Sequence, residues 1–254
     1  MEILGRRTAG LHRALAKCTG DPAFDPETLT KREAAAYAEQ LRADLIDTFN
    51  QLERKSFELP EPLQTICARL LSLRQSVLDR FASAQGDELC GYKSRIHGNY
   101  HLDQILMAHS DFIITDFEGD PGLPHELRRA KQPPLKDVAA LCYSLSMAAA
   151  LTVKRHFTEN RTLCDLLENR ALQWQRAAID SFLAGYRMTM AEIDSYPVEP
   201  MQWHQLLLRF QLEKILAEVK KALDGGPVAL ESPILLLLDL FDQAIAGAGN
   251  NTDI

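Results

Sequence analysis

A chain of 254 residues in which 46% are apolar can bury a substantial core, as one large domain or two small ones. Its net charge of −7 opposes nucleic-acid phosphates, and no basic stripe interleaved with aromatics offsets it, so the composition excludes nucleic-acid binding as a reading. The five cysteines (Cys18, Cys67, Cys90, Cys142 and Cys164) are scattered, without a CxxC pair or a secretory leader, which predicts reduced thiols in a cytoplasm. The longest apolar run, "ILLLLDLF" at 234–241, is interrupted by Asp239 and too short to span a bilayer, so no membrane span is expected.

In chain order, residues 2–17 predict a helix from the spacing of Ile3, Leu4, Leu11, Leu15 and Ala16. Turn formers fill 20–30. Thr30 then opens a long helix to about Phe57, which "LPEP" at 59–62 breaks. A further helix is expected from Leu63 to Ala84, with Ile66, Leu70, Leu71, Leu73, Val77 and Leu78 inward. The pattern then changes. "QILMA" and "FIITDF" are short β-leaning runs around "HSD", which predicts a hairpin. A Gly/Pro-rich loop with a basic centre covers 119–134. Helices resume over 135–157, 168–194, 201–223 and 232–246, and the last nine residues read as a frayed tail. The whole predicts a mainly α domain with one small hairpin.

Residues 95–120, "RIHGNYHLDQILMAHSDFIITDFEGD", gather His97, Asn99, His101, Asp103, Gln104, Asp116, Glu118 and Asp120. Phosphoryl transfer needs groups that hold Mg²⁺ and a group that orients the attacking hydroxyl. Kinase-type folds put the orienting residue in a loop, a metal-binding amide five residues later, and a metal-binding Asp at the end of the next hairpin. Asn99, Gln104 and Asp116 occupy that pattern. A zinc site built on the His97/His101 pair is the weaker alternative, because an i, i+4 pair converges only on a helix.

"RIHGNYHLDQIL…DFIITDFEGDP", followed by "RRAKQPPLKDVAAL", resembles bacterial maltokinases, which are related to aminoglycoside phosphotransferases and often fused to trehalose synthase. The resemblance extends to "LGRRTAGLHRALA" and "FQLEKILAE". It implies a protein-kinase-like C-terminal lobe over 1–254, helical, with the hairpin at about 95–118 carrying the active-site loop. ATP and Mg²⁺ are the implied cofactors. The implied partners are a maltose-like sugar, a trehalose synthase domain and a separate nucleotide-binding lobe. In that frame Asn99 stands at the catalytic position, Gln104, Asp116 and Glu118 at metal positions, Lys214 at a sugar contact, and His97 and Asp137 as supports.

Three departures qualify this. An amide at Asn99 cannot take a proton, which forgoes general-base help of about 10²–10⁴-fold. Asp103 replaces a small Gly of the family string and is the nearby carboxylate that could act in its place. Ala217 stands where a sugar-contacting Tyr is usual. Neither a Gly-rich loop nor a strand-borne Lys precedes residue 95, and "LTVK" at 151–154 reads as helix. The N-terminal nucleotide lobe is therefore expected to be absent and ATP binding weak. A catalytically silent binding or assembly module is the alternative of a different class. Arg128, Arg129, Lys131 and Lys136 read most simply as a solvated loop in ion pairs with the acidic string. Trp174, Trp203, Tyr186 and Phe210 read as core before they read as a sugar platform.

Overall fold

The computed structural model describes residues 1–83, 91–156, 161–191 and 200–249. Cys90, the far end of the helix expected to reach 194, and residues 250–254 lie outside them. The chain is mostly helical and forms two compact units, one from residues 1–29 with 90–211 and the other from 30–89 with 212–254.

In the first unit, α1 (Glu2–Leu15) buries Leu4, Gly5, Thr8, Ala9 and His12, while Ile3 is 40% exposed. Of the apolar residues whose spacing predicts this helix, Leu4 is buried and Leu11 and Leu15 half-buried; the rest of the inner face is small or polar. The cause is a close helix crossing. α1 packs on α7 (Arg161–Met190) so tightly that a Cβ on Gly5 would lie 2.1 Å from the Phe182 carbonyl oxygen, and one on Gly185 2.2 Å from that of Glu2. Any side chain there would force the helices apart. α6 (Leu135–Arg155) packs on the same helix and buries Val138, Leu141, Cys142 and Leu145. By length and composition α6 could also cross a membrane, but 44% of its apolar stretch is buried in this unit. "LTVK" lies inside it, as helix.

Short strands β1 (Glu27–Thr28) and β2 (Tyr92–Lys93) pair antiparallel. The expected hairpin is present as β3 (Ile105–Ala108) and β4 (Asp111–Ile114), with Ile105 opposite Ile114 and Ala108 opposite Asp111. His109 makes its turn at φ +50°, a left-handed conformation that His tolerates better than most residues. Arg7 of α1 grips Asp111 with both Nε and Nη2, tying the hairpin tip to the helix. The basic loop contains a one-turn helix, α5 (His125–Arg128). The helix α8 (Pro200–Gly225) runs from this unit into the other.

In the second unit, α2 (Lys31–Lys55) starts on a reciprocal cap between Thr30 and Glu33 and buries Leu41, Leu45, Phe49 and Leu52. The single helix expected at 63–84 is two, α3 (Glu61–Ser72) and α4 (Arg74–Ser83), broken at Leu73. No Gly or Pro marks the break. Arg74, just beyond it, is drawn to α2, donating to the Asn50 side chain at 2.9 Å and lying 5.8 Å from the centre of the Phe49 ring. The last helix, α9 (Pro227–Gly249), begins earlier than expected, continues through Pro233, and absorbs the GAG of the supposed tail. Its Phe241 meets Phe49 with ring centres 5.9 Å apart.

Candidate phosphotransfer site

Asp137 organises the site. It sits in the first turn of α6, 2% exposed, where the helix N-terminus favours an anion. Its carboxylate accepts from the His97 amide (2.7 Å), the Gly98 amide (3.0 Å) and His12 Nε2 (3.1 Å). His12 in turn contacts the Tyr186 hydroxyl through Nδ1 at 2.9 Å. A buried carboxylate with three donors is fully satisfied, so α1, α6 and α7 together fix the backbone just before Asn99.

A second knot forms at Thr115. Its carbonyl accepts from His97 Nε2 at 2.8 Å, and its amide and hydroxyl both donate to the Gln104 carbonyl, at 2.9 and 3.1 Å. The His97 ring is therefore the Nε2–H tautomer, set between Tyr100 and Phe117 with centres 5.1 and 5.3 Å away. Its buried Nδ1 has no hydrogen-bond partner among the described residues. Tyr100 is anchored by Thr8 at 2.7 Å, and burial pushes its phenol well above the usual range. The hairpin thus brings the backbones at 97, 104 and 115 together, as its ends require.

The remaining candidates fall as follows. Asn99 is half-buried, next to Gly98 at φ +76°, and its side chain has no hydrogen-bond partner among the described residues. Asp116 is exposed at φ +64°, a left-handed conformation costing about 1 kcal/mol or more for a non-glycine residue. Gln104 turns its amide toward His101 Nε2, 3.4 Å away, and Asp103 approaches the other ring nitrogen at 3.5 Å. The Asp103 side chain is 95% exposed, so it faces water and His101. Glu118 is exposed, and no three His, Cys, Asp or Glu side chains gather as a metal cage among the described residues. Lys214 belongs to the other unit, where it pairs with Glu218 at 2.7 Å. Burial works to raise the Glu218 carboxyl, but Lys214 and Lys221 hold it below the usual range. Of the four aromatics, Trp203, Tyr186 and Phe210 are buried, and Trp174 is half-exposed.

Sequence reasoning missed His12 and Thr115, and read Tyr186 as core without its contact to His12. They are common residue types, and only the fold reveals their partners.

The candidate site is thus a loop anchored to a buried helix-borne carboxylate and followed by a hairpin ending in an exposed Asp. The proteins this chain is similar to are sugar kinases. No family model matches the chain. It is 30% identical over 243 residues to a glucosamine kinase of Streptacidiphilus jiangxiensis and 26% identical over 244 residues to one of Mycolicibacterium smegmatis. These alignments cover 95% and 94% of this chain but 49% and 53% of the relatives, so the chain spans about half the length of the curated relatives it matches. A solved glucosamine kinase in complex with glucosamine, ADP and inorganic phosphate superposes with a TM-score of 0.75 at 26% identity, covering 97% of this chain and 55% of that one. A second crystal form of a glucosamine kinase gives 0.74. The homologues are glucosamine kinases, and the chain shares the fold of their matching half.

Proposed function

We propose that this chain is the helical part of an ATP-dependent sugar kinase of the cytoplasm. In this reading Asn99 orients the attacking sugar hydroxyl, and Gln104 and Asp116 hold Mg²⁺ against the ATP phosphates with Glu118 nearby. The observation that carries the reading is the double anchoring of residues 97–104 and 115–116, through Asp137 and Thr115. Such anchoring suits phosphoryl transfer, where catalysis is mostly positioning and charge stabilisation.

The residues fit the metal. Mg²⁺ takes one or two protein oxygens and completes its shell with water and phosphate, so one amide oxygen and one exposed carboxylate suffice where a full protein cage would not. The bound ion would neutralise phosphate charge. The chain's own contribution is to hold those two oxygens at the end of a braced hairpin. Asp103 then acts through His101 on the Gln104 amide, as a support.

Glucosamine is the first candidate acceptor, supported by the relatives and by the similar structure solved with that sugar. Maltose, which the sequence resemblance implies, is the second. One observation favours a different reading, a silent sugar-binding or assembly module: the residue at the catalytic position is an amide, and the Asp103 carboxylate that could act in its place faces water and His101. Titration calorimetry of the folded chain with glucosamine and with maltose tests the proposal. Saturable binding of either supports a sugar site, and absence of both refutes it.

A further inference from the structure

The loop between β4 and α6 holds a charge that the reading above leaves unused. Ion pairs with the acidic string are the simple expectation for its basic residues, but two of them meet partners elsewhere. Lys131 pairs with Glu27 at 2.6 Å and donates to the Pro22 carbonyl, while Lys136 lies 5.6 Å from the centre of the Phe210 ring. Arg128 differs. Its side chain makes no hydrogen bond or ion pair with any described residue, although Asp116, Glu118, Asp120 and Glu126 are close in sequence. The side chain is half-buried, and its Nε is sealed from water without an acceptor. A buried N–H left this way is costly, and the two terminal nitrogens of the guanidinium, not sealed in the same way and without a partner among the described residues, are left to meet an acceptor from outside.

The stem of Arg128 shows where that acceptor belongs. It lies flat on Gly119, where a Cβ would come within 3.2 Å of Arg128 Cβ and 3.4 Å of Cγ. Gly119, at φ +78°, is in turn stacked on Gly98, whose own Cβ would lie 3.6 Å from Gly119 Cα. Two layers of backbone, Gly98 and Gly119, thus carry the Arg128 stem over the segment that follows Asp116 and beside the loop that presents Asn99. A guanidinium is planar, permanently charged and matched to phosphate oxygens. The neutral amide of Asn99 adds no charge to repel an anion there, as a carboxylate would.

We propose that Arg128 contacts the phosphate of a phosphate monoester at the Gly98–Gly119 face, which in the sugar-kinase reading on which this rests is the phosphate being transferred or carried by the product. Inorganic phosphate is the probe, followed through the Arg128 Nε–Hε signal in nitrogen–proton correlation spectra of the whole chain. The expected result is a saturable shift of that signal. Arg128→Ala should weaken phosphate binding at least about tenfold, and Arg128→Lys, which keeps the stem over Gly119 and the charge but loses the fork, several-fold. Asn99→Asp should weaken it as well, by charge repulsion. The proposal is overturned if the chain binds no phosphate, if the Arg128 signal stays fixed as phosphate saturates, or if folded Arg128→Lys and Arg128→Ala bind phosphate as the wild type does. A parallel glucosamine titration separates the two readings. Sugar binding without Arg128-dependent phosphate binding removes this proposal alone, whereas phosphate binding at Arg128 without binding of glucosamine or maltose removes the sugar-kinase reading and leaves the anion site.

Discussion

Replacing Asp137 by alanine removes the acceptor for three buried donors, the amides of His97 and Gly98 and the ring of His12. Each donor left without a partner costs about 1–3 kcal/mol, and breaking a buried charged cluster from one side typically costs about 3–5 kcal/mol. Asp137→Ala should therefore destabilise the first unit by about 3–5 kcal/mol. Asp137→Asn keeps the volume and one acceptor but turns an amide N–H toward a donor, and should cost about half as much. Both tryptophans, Trp174 and Trp203, lie in this unit, so their fluorescence during urea unfolding reads its stability directly. With a urea slope of about 2 kcal/mol/M, the Asp137→Ala midpoint should fall by about 1.5–2.5 M. Asp103→Asn is the control: an exposed carboxylate should change stability by less than about 0.5 kcal/mol. A loss under about 1 kcal/mol for Asp137→Ala, or an Asp137→Asn protein as stable as the wild type, would refute the role given to this carboxylate.

Gly5→Ala should destabilise the same unit by about 1–3 kcal/mol in the same fluorescence assay, because the methyl meets the backbone of α7; a neutral effect would mean the crossing is looser than described. The Arg7 hydrogen bond, with a smaller contribution from the Phe112 amide, draws the exposed Asp111 carboxyl down to about 2 from the usual 3.8. The link between α1 and the hairpin is therefore complete above about pH 4 and lost as pH falls toward 2. A carboxyl titration by carbon NMR should show that midpoint in the wild type and a return toward 3.8 in Arg7→Gln; an unchanged midpoint would discount the pair. Mg-ATP should bind the chain weakly, since no Gly-rich loop precedes residue 95 and the strand residue Lys93 is paired with Glu27 at 3.3 Å, and micromolar binding by calorimetry would show that the phosphates are held another way.

The hairpin and its loop were legible because two β-leaning apolar runs flank a turn and place polar residues at fixed offsets, a local pattern that tertiary packing had no reason to override. Most helix ends were legible for the same reason, as at Thr30, where cap and first turn are neighbours in sequence. What escaped depends on distant partners. His12 meets Asp137 across 125 residues and Tyr186 across 174, and no local pattern encodes either contact. On α1 the spacing found Leu4 but not Gly5, Thr8 and Ala9, which carry little apolar signal although close packing selects for their small size. The break at Leu73 arises where Arg74 is held by another helix. The basic loop was read as uniformly solvated, yet its members part company: Lys131 finds a carboxylate and Arg128 finds none.

The central claim is that residues 97–116 form a sugar-kinase site, and the most direct measurement is a residue-resolved NMR titration of the chain with glucosamine, and separately with maltose, in the presence of Mg²⁺. The account expects one of these sugars to shift the side-chain amide signals of Asn99 and Gln104 and the backbone signal of Asp116, saturably and together. Absence of change with both sugars, or saturable changes confined to residues away from this loop and hairpin, would contradict it.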